Sequence, residues 1–161
     1  MTVMRFIEKM VVESPDRTAL GDASGGLSYS ELWARSAGLA RSLQARGITT
    51  GDLVGLCVER SVAMVIAGLA IMRAGAAYVA IDPAYPDGRV NWMLEDSCAA
   101  AVVADAANAP RFTGTTVVRV DAADVTSEVE ADAPLPEVSD AGLAYVVYTS
   151  GSTGVDRKSV V

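Results

Sequence analysis

The sequence predicts an α/β fold in which a mostly parallel sheet is flanked by helices. Three observations predict it. Short apolar runs of strand length recur at Leu53 to Val58, Ala77 to Ile81 and Ala100 to Ala104. Helix-length segments separate them, the βαβ pattern that gives parallel strands with right-handed crossovers. The run LVGLCV also lacks polar–apolar alternation, as expected of a strand covered on both faces.

The first element is a helix from Val3 to Ser14, with apolar positions at Phe6, Met10 and Val11, and Pro15-Asp16 ends it. Thr18 to Gly21, the turn-rich DASGG stretch and the resumption at Leu27 suggest a small hairpin. Ser28 and Glu31 form a capping box that opens a helix running to about Arg46. Leu32, Ser36, Leu39, Ala40 and Leu43 share its inner face, and Gly47 supplies a left-handed stop. After the strand at Leu53 to Val58, Ser61 to Arg73 reads as a helix. The strand at Ala77 to Ile81 then leads through the Pro83 and Pro86 turn to a helix from Asp87 to Ser97, with Val90, Met93 and Leu94 inward. Asp82, between a strand and a proline, suits turn duty better than catalysis. Asp105 to Asp140 reads as a long surface connection with one strand at Thr116 to Val120, and Leu143 to Tyr148 is the last strand. Tyr29, Trp33, Tyr78 and Trp92 are spaced like packing aromatics.

Composition narrows the function. The 161 residues fit one domain, and 51% hydrophobic with 20% charged residues is the balance of a folded chain. A net charge of -7 without any basic run disfavours nucleic acid as a partner. With no histidine, a serine–histidine triad is excluded. Cys57 and Cys98 lie in apolar stretches and read as buried, reduced thiols, and no metal site is expected. The start of the chain carries charge where a secretory signal would be apolar, so a cytoplasmic location is the expectation. The uncharged run from Val62 to Met72 is short for a membrane span, of roughly 20 residues, and reads as a buried helix.

The sharpest feature is Thr149-Ser150-Gly151-Ser152-Thr153-Gly154, directly after an apolar strand. Glycines let successive amides turn into one concavity and the hydroxyls add donors, a composition suited to phosphate. The common alternative is a flexible surface loop. A Walker motif fails, because Ser152 and Arg157 stand where it needs glycines, although Lys158-Ser159 imitates its end.

LAYVVYTSGSTG resembles the phosphate-loop motif of the adenylate-forming superfamily. LSYSEL (Leu27 to Leu32) and MRAGAAYVAIDPAYPDGRVNWMLEDS (Met72 to Ser97) resemble two earlier motifs of that superfamily, in its order. The AYVAIDPAYP and WMLEDS stretches are closer to nonribosomal peptide synthetase adenylation domains than to acyl-CoA ligases. The resemblance implies the N-terminal subdomain of such an enzyme, with 1–161 as a partial adenylation domain. It further implies ATP with Mg2+, an amino-acid substrate, and a carrier protein whose phosphopantetheine thiol accepts the acyl group. Thr149, Ser150, Gly151, Ser152, Thr153 and Gly154, with Lys158, would bind the phosphates.

The chain departs from the family after Gly154, where proline, lysine and glycine are expected one residue on and Val155-Asp156-Arg157-Lys158-Ser159 stands instead. Either Lys158 is displaced by one position or Arg157 supplies the cation. The family's later pocket residues, ribose-binding acid and catalytic lysine have no counterpart in these residues. The catalytic residues are therefore unknown and the chain is expected to be inactive alone. An acyl-CoA or aryl-acid ligase is the second reading. A non-catalytic interaction module is the third, in which the two helices Ser28 to Arg46 and Ser61 to Arg73 expose an apolar patch and the chain self-associates.

Overall fold

The computed structural model describes residues 2–22, 25–121, 134–138, 142–149 and 157–160. Helix α1 (Val3–Glu13) begins at Thr2, whose side-chain oxygen accepts a hydrogen bond from the Arg5 amide at 3.4 Å. Its buried residues are Met4 and Ile7, with Val11 packed against the same core, while Phe6 is 46% exposed. Of the apolar positions whose spacing marks this helix, Val11 therefore packs on the core and Phe6 does not. Two adjacent stripes of this helix, Val3–Phe6–Met10 and Met4–Ile7–Val11, are both apolar, so helical spacing finds the helix without choosing its buried side.

Strands β1 (Thr18–Asp22) and β2 (Gly25–Ser28) form an antiparallel hairpin. It delivers the chain to α2 (Tyr29–Ala45), opened by the expected box: Ser28 Oγ accepts from the Glu31 amide at 3.2 Å, and a Glu31 carboxylate oxygen accepts from the Ser28 amide at 2.8 Å. That bond lowers the Glu31 pKa. Leu32, Ser36, Leu39, Ala40 and Leu43 are all buried, and Gly47 turns with φ of +90°.

Next come β3 (Leu53–Cys57), α3 (Val62–Arg73), β4 (Ala77–Ala80), α4 (Asp87–Ser97), β5 (Ala101–Ala104), β6 (Val117–Arg119), β7 (Tyr145–Thr149) and β8 (Arg157–Val160). The main sheet has the order β6-β5-β3-β4-β7-β8; neighbours among the first five pair in parallel, and β8 pairs antiparallel with β7. The sequence alone does not predict β8: RKSV is short, polar and placed where the phosphate-loop resemblance breaks, so no apolar run marks it.

The inner strands alternate between two cores. Val54, Leu56, Val58, Ala101 and Val103 pack toward α2 and α3. Cys57, Val79, Val102, Ala104, Val146 and Tyr148 pack with Val90, Met93 and Leu94 of α4. Coverage on both sides is why these strands read as uninterrupted apolar runs. Gly55 lets α4 close on the sheet, since a Cβ there would lie 2.8 Å from Leu94 Cδ2 and 3.1 Å from Ile81 Cδ1.

Helices α2 and α3 cover each other, so the exposed patch expected from them is not formed. Arg73 seals their seam: its guanidinium lies 3.5 Å from the centre of the Trp33 ring and donates to Trp33 O at 2.5 Å and to Ser36 Oγ at 2.9 Å. Burial, with Arg41 nearby, lowers its pKa to about 10, which leaves it charged at neutral pH. The larger exposed apolar side chains among the described residues lie elsewhere, on α1 (Val3, Phe6, Val12), at Trp92, and at Val138 and Leu143.

Two further expectations are corrected. The stretch after Asp105 is built into the body as far as β6: a short 3-10 turn at Ala109–Arg111 follows the buried Asn108 and precedes the buried Phe112. Cys98 is exposed, with φ of 52°, because it caps the C-terminus of α4 in the left-handed conformation, whereas Cys57 is buried as expected. Burial pushes the Cys57 thiol up to about 11. Among the described residues no helix is long and apolar enough to cross a membrane.

Candidate functional site

All five parallel strands end at one edge of the sheet, and helices α3 and α4 begin there. Neither helix has a side-chain cap at its start. In open α/β sheets this carboxyl edge is where ligands bind. The residues just past the strands are Glu59, Asp82, Asp105, Asp121 and, at the end of β7, Thr149.

Strand β7 is anchored on one side and open on the other. Val146 and Tyr148 are buried toward α4, whereas Thr149 is exposed. The Tyr148 hydroxyl donates to Asp96 Oδ2 of α4 at 2.5 Å, and the Trp92 ring meets the Tyr148 ring edge-on, centroids 5.3 Å apart at 71°. Burial first, and then the Asp96 carboxylate, raise the Tyr148 hydroxyl pKa well above its ordinary value, so it remains a donor. On the opposite side of the strands, Tyr78 of β4 stacks on Tyr145 of β7 at 5.4 Å.

Thr149 and the backbone of Lys158 are the described members of the candidate phosphate site. They belong to paired strands: in the β7–β8 register Tyr148 lies opposite Lys158 and Thr149 opposite Arg157. Arg157 is therefore the first paired residue on the far side of the connection that contains the TSGSTG run. Ser150, Gly151, Ser152, Thr153 and Gly154 lie outside the described residues.

Along the edge the carboxylates of Asp82, Asp105 and Asp121 accept from backbone and neighbouring donors. Asp105 accepts from the Glu59 amide at 2.8 Å and from the Asn108 amide and side chain, each at 2.9 Å, which ties the end of β5 to that of β3. Burial opposes its ionisation, but these bonds outweigh burial and hold its pKa below the ordinary value. Asp121 accepts from Arg119 at 3.1 Å and from the Ala106 amide at 3.2 Å, and the Arg119 bond leads the lowering of its pKa. Asp82 Oδ1 accepts from the Ala84 amide at 2.9 Å, the turn duty its position suggested. Arg111 pins the same turn, donating to Pro83 O at 2.7 Å, Tyr85 O at 2.6 Å and Asp87 Oδ1 at 2.8 Å. Sequence reasoning does not find Arg111 or Asp105, since a single charged residue in a polar loop carries no periodic signal. Among the described residues no group of three or more His, Cys, Asp or Glu side chains could hold a metal ion.

A carboxyl edge of the kind where ligands bind, with a glycine–hydroxyl run next to β7 in the sequence, coincides with a family match: the model of the family described as AMP-binding enzyme matches residues 7–160. The chain belongs to the AMP-binding enzyme family. Among its relatives, a plipastatin synthase protein of Bacillus subtilis (strain 168) is 42% identical over 154 residues, covering 95% of this chain and 6% of that protein. Tyrocidine synthase 3 of Brevibacillus parabrevis is 40% identical over 157 residues, or 95% of this chain and 2% of that protein. Solved structures agree in fold. The nonribosomal peptide synthetase FmoA3, in its alpha-methyl-L-serine-AMP bound form, superposes with a TM-score of 0.85 at 33% identity, covering 98% of this chain and 17% of that one. The Klebsiella oxytoca NpsA N-terminal subdomain gives 0.83 at 25% identity, covering 98% and 41% respectively. The chain therefore has the fold of the N-terminal subdomain of nonribosomal peptide synthetase adenylation domains, and spans a small part of the relatives it matches.

Proposed function

We propose that residues 1–161 are the opening part of the N-terminal subdomain of an amino-acid-activating adenylation domain, and that their task is to hold the phosphates of ATP. The observation that carries the reading is the end of β7 at the carboxyl edge: an exposed Thr149, rigidly backed by Tyr148, introduces the TSGSTG run. In the full enzyme an amino-acid carboxylate attacks the α-phosphorus of ATP, pyrophosphate leaves, and the aminoacyl group then passes to the phosphopantetheine thiol of a carrier protein.

For this chain the chemistry reduces to charge. Thr149, Ser150, Ser152 and Thr153 supply hydroxyls, Gly151 and Gly154 let amides converge, and Lys158 or Arg157 supplies a cation. Donors fixed before the reaction stabilise charge as it develops on the departing phosphates. The donor set fits a polyphosphate, and Mg2+ would be carried by the phosphates with few protein ligands, which is how this ion commonly binds. The peptide-synthase relatives at 40–42% identity support an amino acid over an aryl acid as substrate. An FmoA3 structure described as the AMPPNP-bound form supports ATP. The enzyme would work in the cytoplasm.

Titration of the chain with ATP and Mg2+, followed by amide chemical shifts, tests the reading. Shifts confined to residues 148–158, with millimolar affinity on the order of 4 kcal/mol, and no amino-acid-dependent exchange of pyrophosphate into ATP are expected. Absence of any shift in that segment would refute the phosphate role, and robust exchange would refute the claim that catalysis needs more chain.

A further inference from the structure

Helix α4 carries two features that packing of its inner face does not use. Trp92 is 40% exposed, yet its ring meets the Tyr148 ring edge-on. Asp96, an exposed carboxylate, accepts a hydrogen bond from the Tyr148 hydroxyl across the helix–strand gap. Both residues belong to the WMLEDS stretch, which the sequence reads as helical and as part of the family resemblance without giving Asp96 a role. The strand they grip ends one residue later, at Thr149.

From this geometry we infer that Asp96 and Trp92 are positioning residues: through Tyr148 they fix the carboxyl end of β7 and thereby the affinity of the phosphate-binding segment that follows. The nucleotide part of this inference rests on the reading proposed above.

The argument is one of leverage. A strand near the edge of a sheet is held by a single row of backbone pairs on each side, so its last residues fray unless a side chain fastens them. Parallel pairing to β4 is recorded at Tyr145 and Val146, and beyond these two residues β7 is paired on the β8 side only. Tyr148 lies in this less supported stretch, and its bond to α4 supplies a second attachment there. A hydrogen bond to a charged acceptor is among the stronger side-chain links. Burial and the Asp96 carboxylate raise the hydroxyl pKa, which keeps the proton on the tyrosine at neutral pH. An arrangement meant only to fill space would be served by phenylalanine at 148.

The test uses the whole chain and four variants: Tyr148→Phe, Asp96→Ala, Asp96→Asn and Trp92→Leu. Amide hydrogen exchange is followed in residues 145–149, with β3 and α2 as internal controls. Tyr148→Phe and Asp96→Ala are expected to speed exchange in 145–149 about tenfold while leaving the controls unchanged, the loss of one bond to a charged acceptor. Asp96→Asn, which keeps an acceptor, should restore most of the protection, and Trp92→Leu should show a smaller increase. Unchanged exchange in 145–149, or equal acceleration in the controls, would overturn the positioning role whether or not nucleotide binds. In parallel, ATP–Mg2+ is titrated into each protein: a five- to tenfold weaker dissociation constant for Tyr148→Phe and Asp96→Ala is expected. Equal affinities would overturn the link to the phosphates. A wild-type chain that binds no ATP would instead sink the proposed function and that link, with the exchange result still deciding the role of Asp96 and Trp92.

Discussion

The two faces of the main sheet are covered by helices in different ways. Toward α2 and α3 the contacts are aliphatic and closed: Leu39, Leu43, Ala67, Ala70 and Ile71 are at most 1% exposed, and the charged residue admitted there, Arg73, finds an aromatic ring and two oxygen acceptors. Toward α4 the same strands meet a mixed set of groups, among them a thiol at Cys57 and the Tyr148–Asp96 pair. Arg111 and Asp105 hold the loops at the rim of the sheet. One face is built to exclude water. The other holds strand ends and turns at the edge where a ligand would sit, and such fastening needs directional bonds that aliphatic side chains do not make.

The contrast can be broken from either side. The largest effect is expected from Ile71→Ala: this side chain is 0% exposed on the closed face, so truncation should lower unfolding stability by about 2–5 kcal/mol, read from urea denaturation with an unchanged slope. Gly55→Val tests the other face. Its new Cβ would press on Leu94, Ile81 and Val102, and stability should fall by about 1–3 kcal/mol as α4 is displaced, a cost that Leu94→Ala should partly relieve in a double-mutant cycle. The smallest effect is a pH dependence at the rim. Asp105 has a folded-state pKa below its usual 3.8, so its contribution is present above that pH and is lost as the pH falls further through the depressed value. On acidification below 3.8, stability should therefore drop less steeply in Asp105→Asn than in the unaltered chain, as thermal melts at successively lower pH would reveal.

The aliphatic face was legible in the sequence, and the rim largely was not. Ser28 and Glu31 announce the start of α2 because a capping box is a local, chemically specific pair, and Leu32, Leu39 and Leu43 recur at helical spacing. Uninterrupted apolar runs likewise reveal β3 and β5 as buried strands. Periodicity falters where two stripes are equally apolar, as on α1, where Met4 and Ile7 are buried and Phe6 is not. It has nothing to read at β8, whose pairing with β7 is made by backbone groups that every sequence possesses. For the candidate site, Thr149 was legible from the residue types around it and its place after a strand. The bond from Tyr148 to Asp96 joins residues 52 positions apart, and no local pattern carries such a distance.

The placement of the aromatic residues has a spectroscopic consequence. The sequence contains two tryptophans, and the structure puts one in each setting: Trp33 beneath a guanidinium at the α2–α3 seam, Trp92 half in solvent beside Tyr148. Their emission should therefore differ in wavelength, with the Trp92 band lying further to the red. A pair of single-tryptophan proteins would give each side of the sheet its own optical clock during refolding.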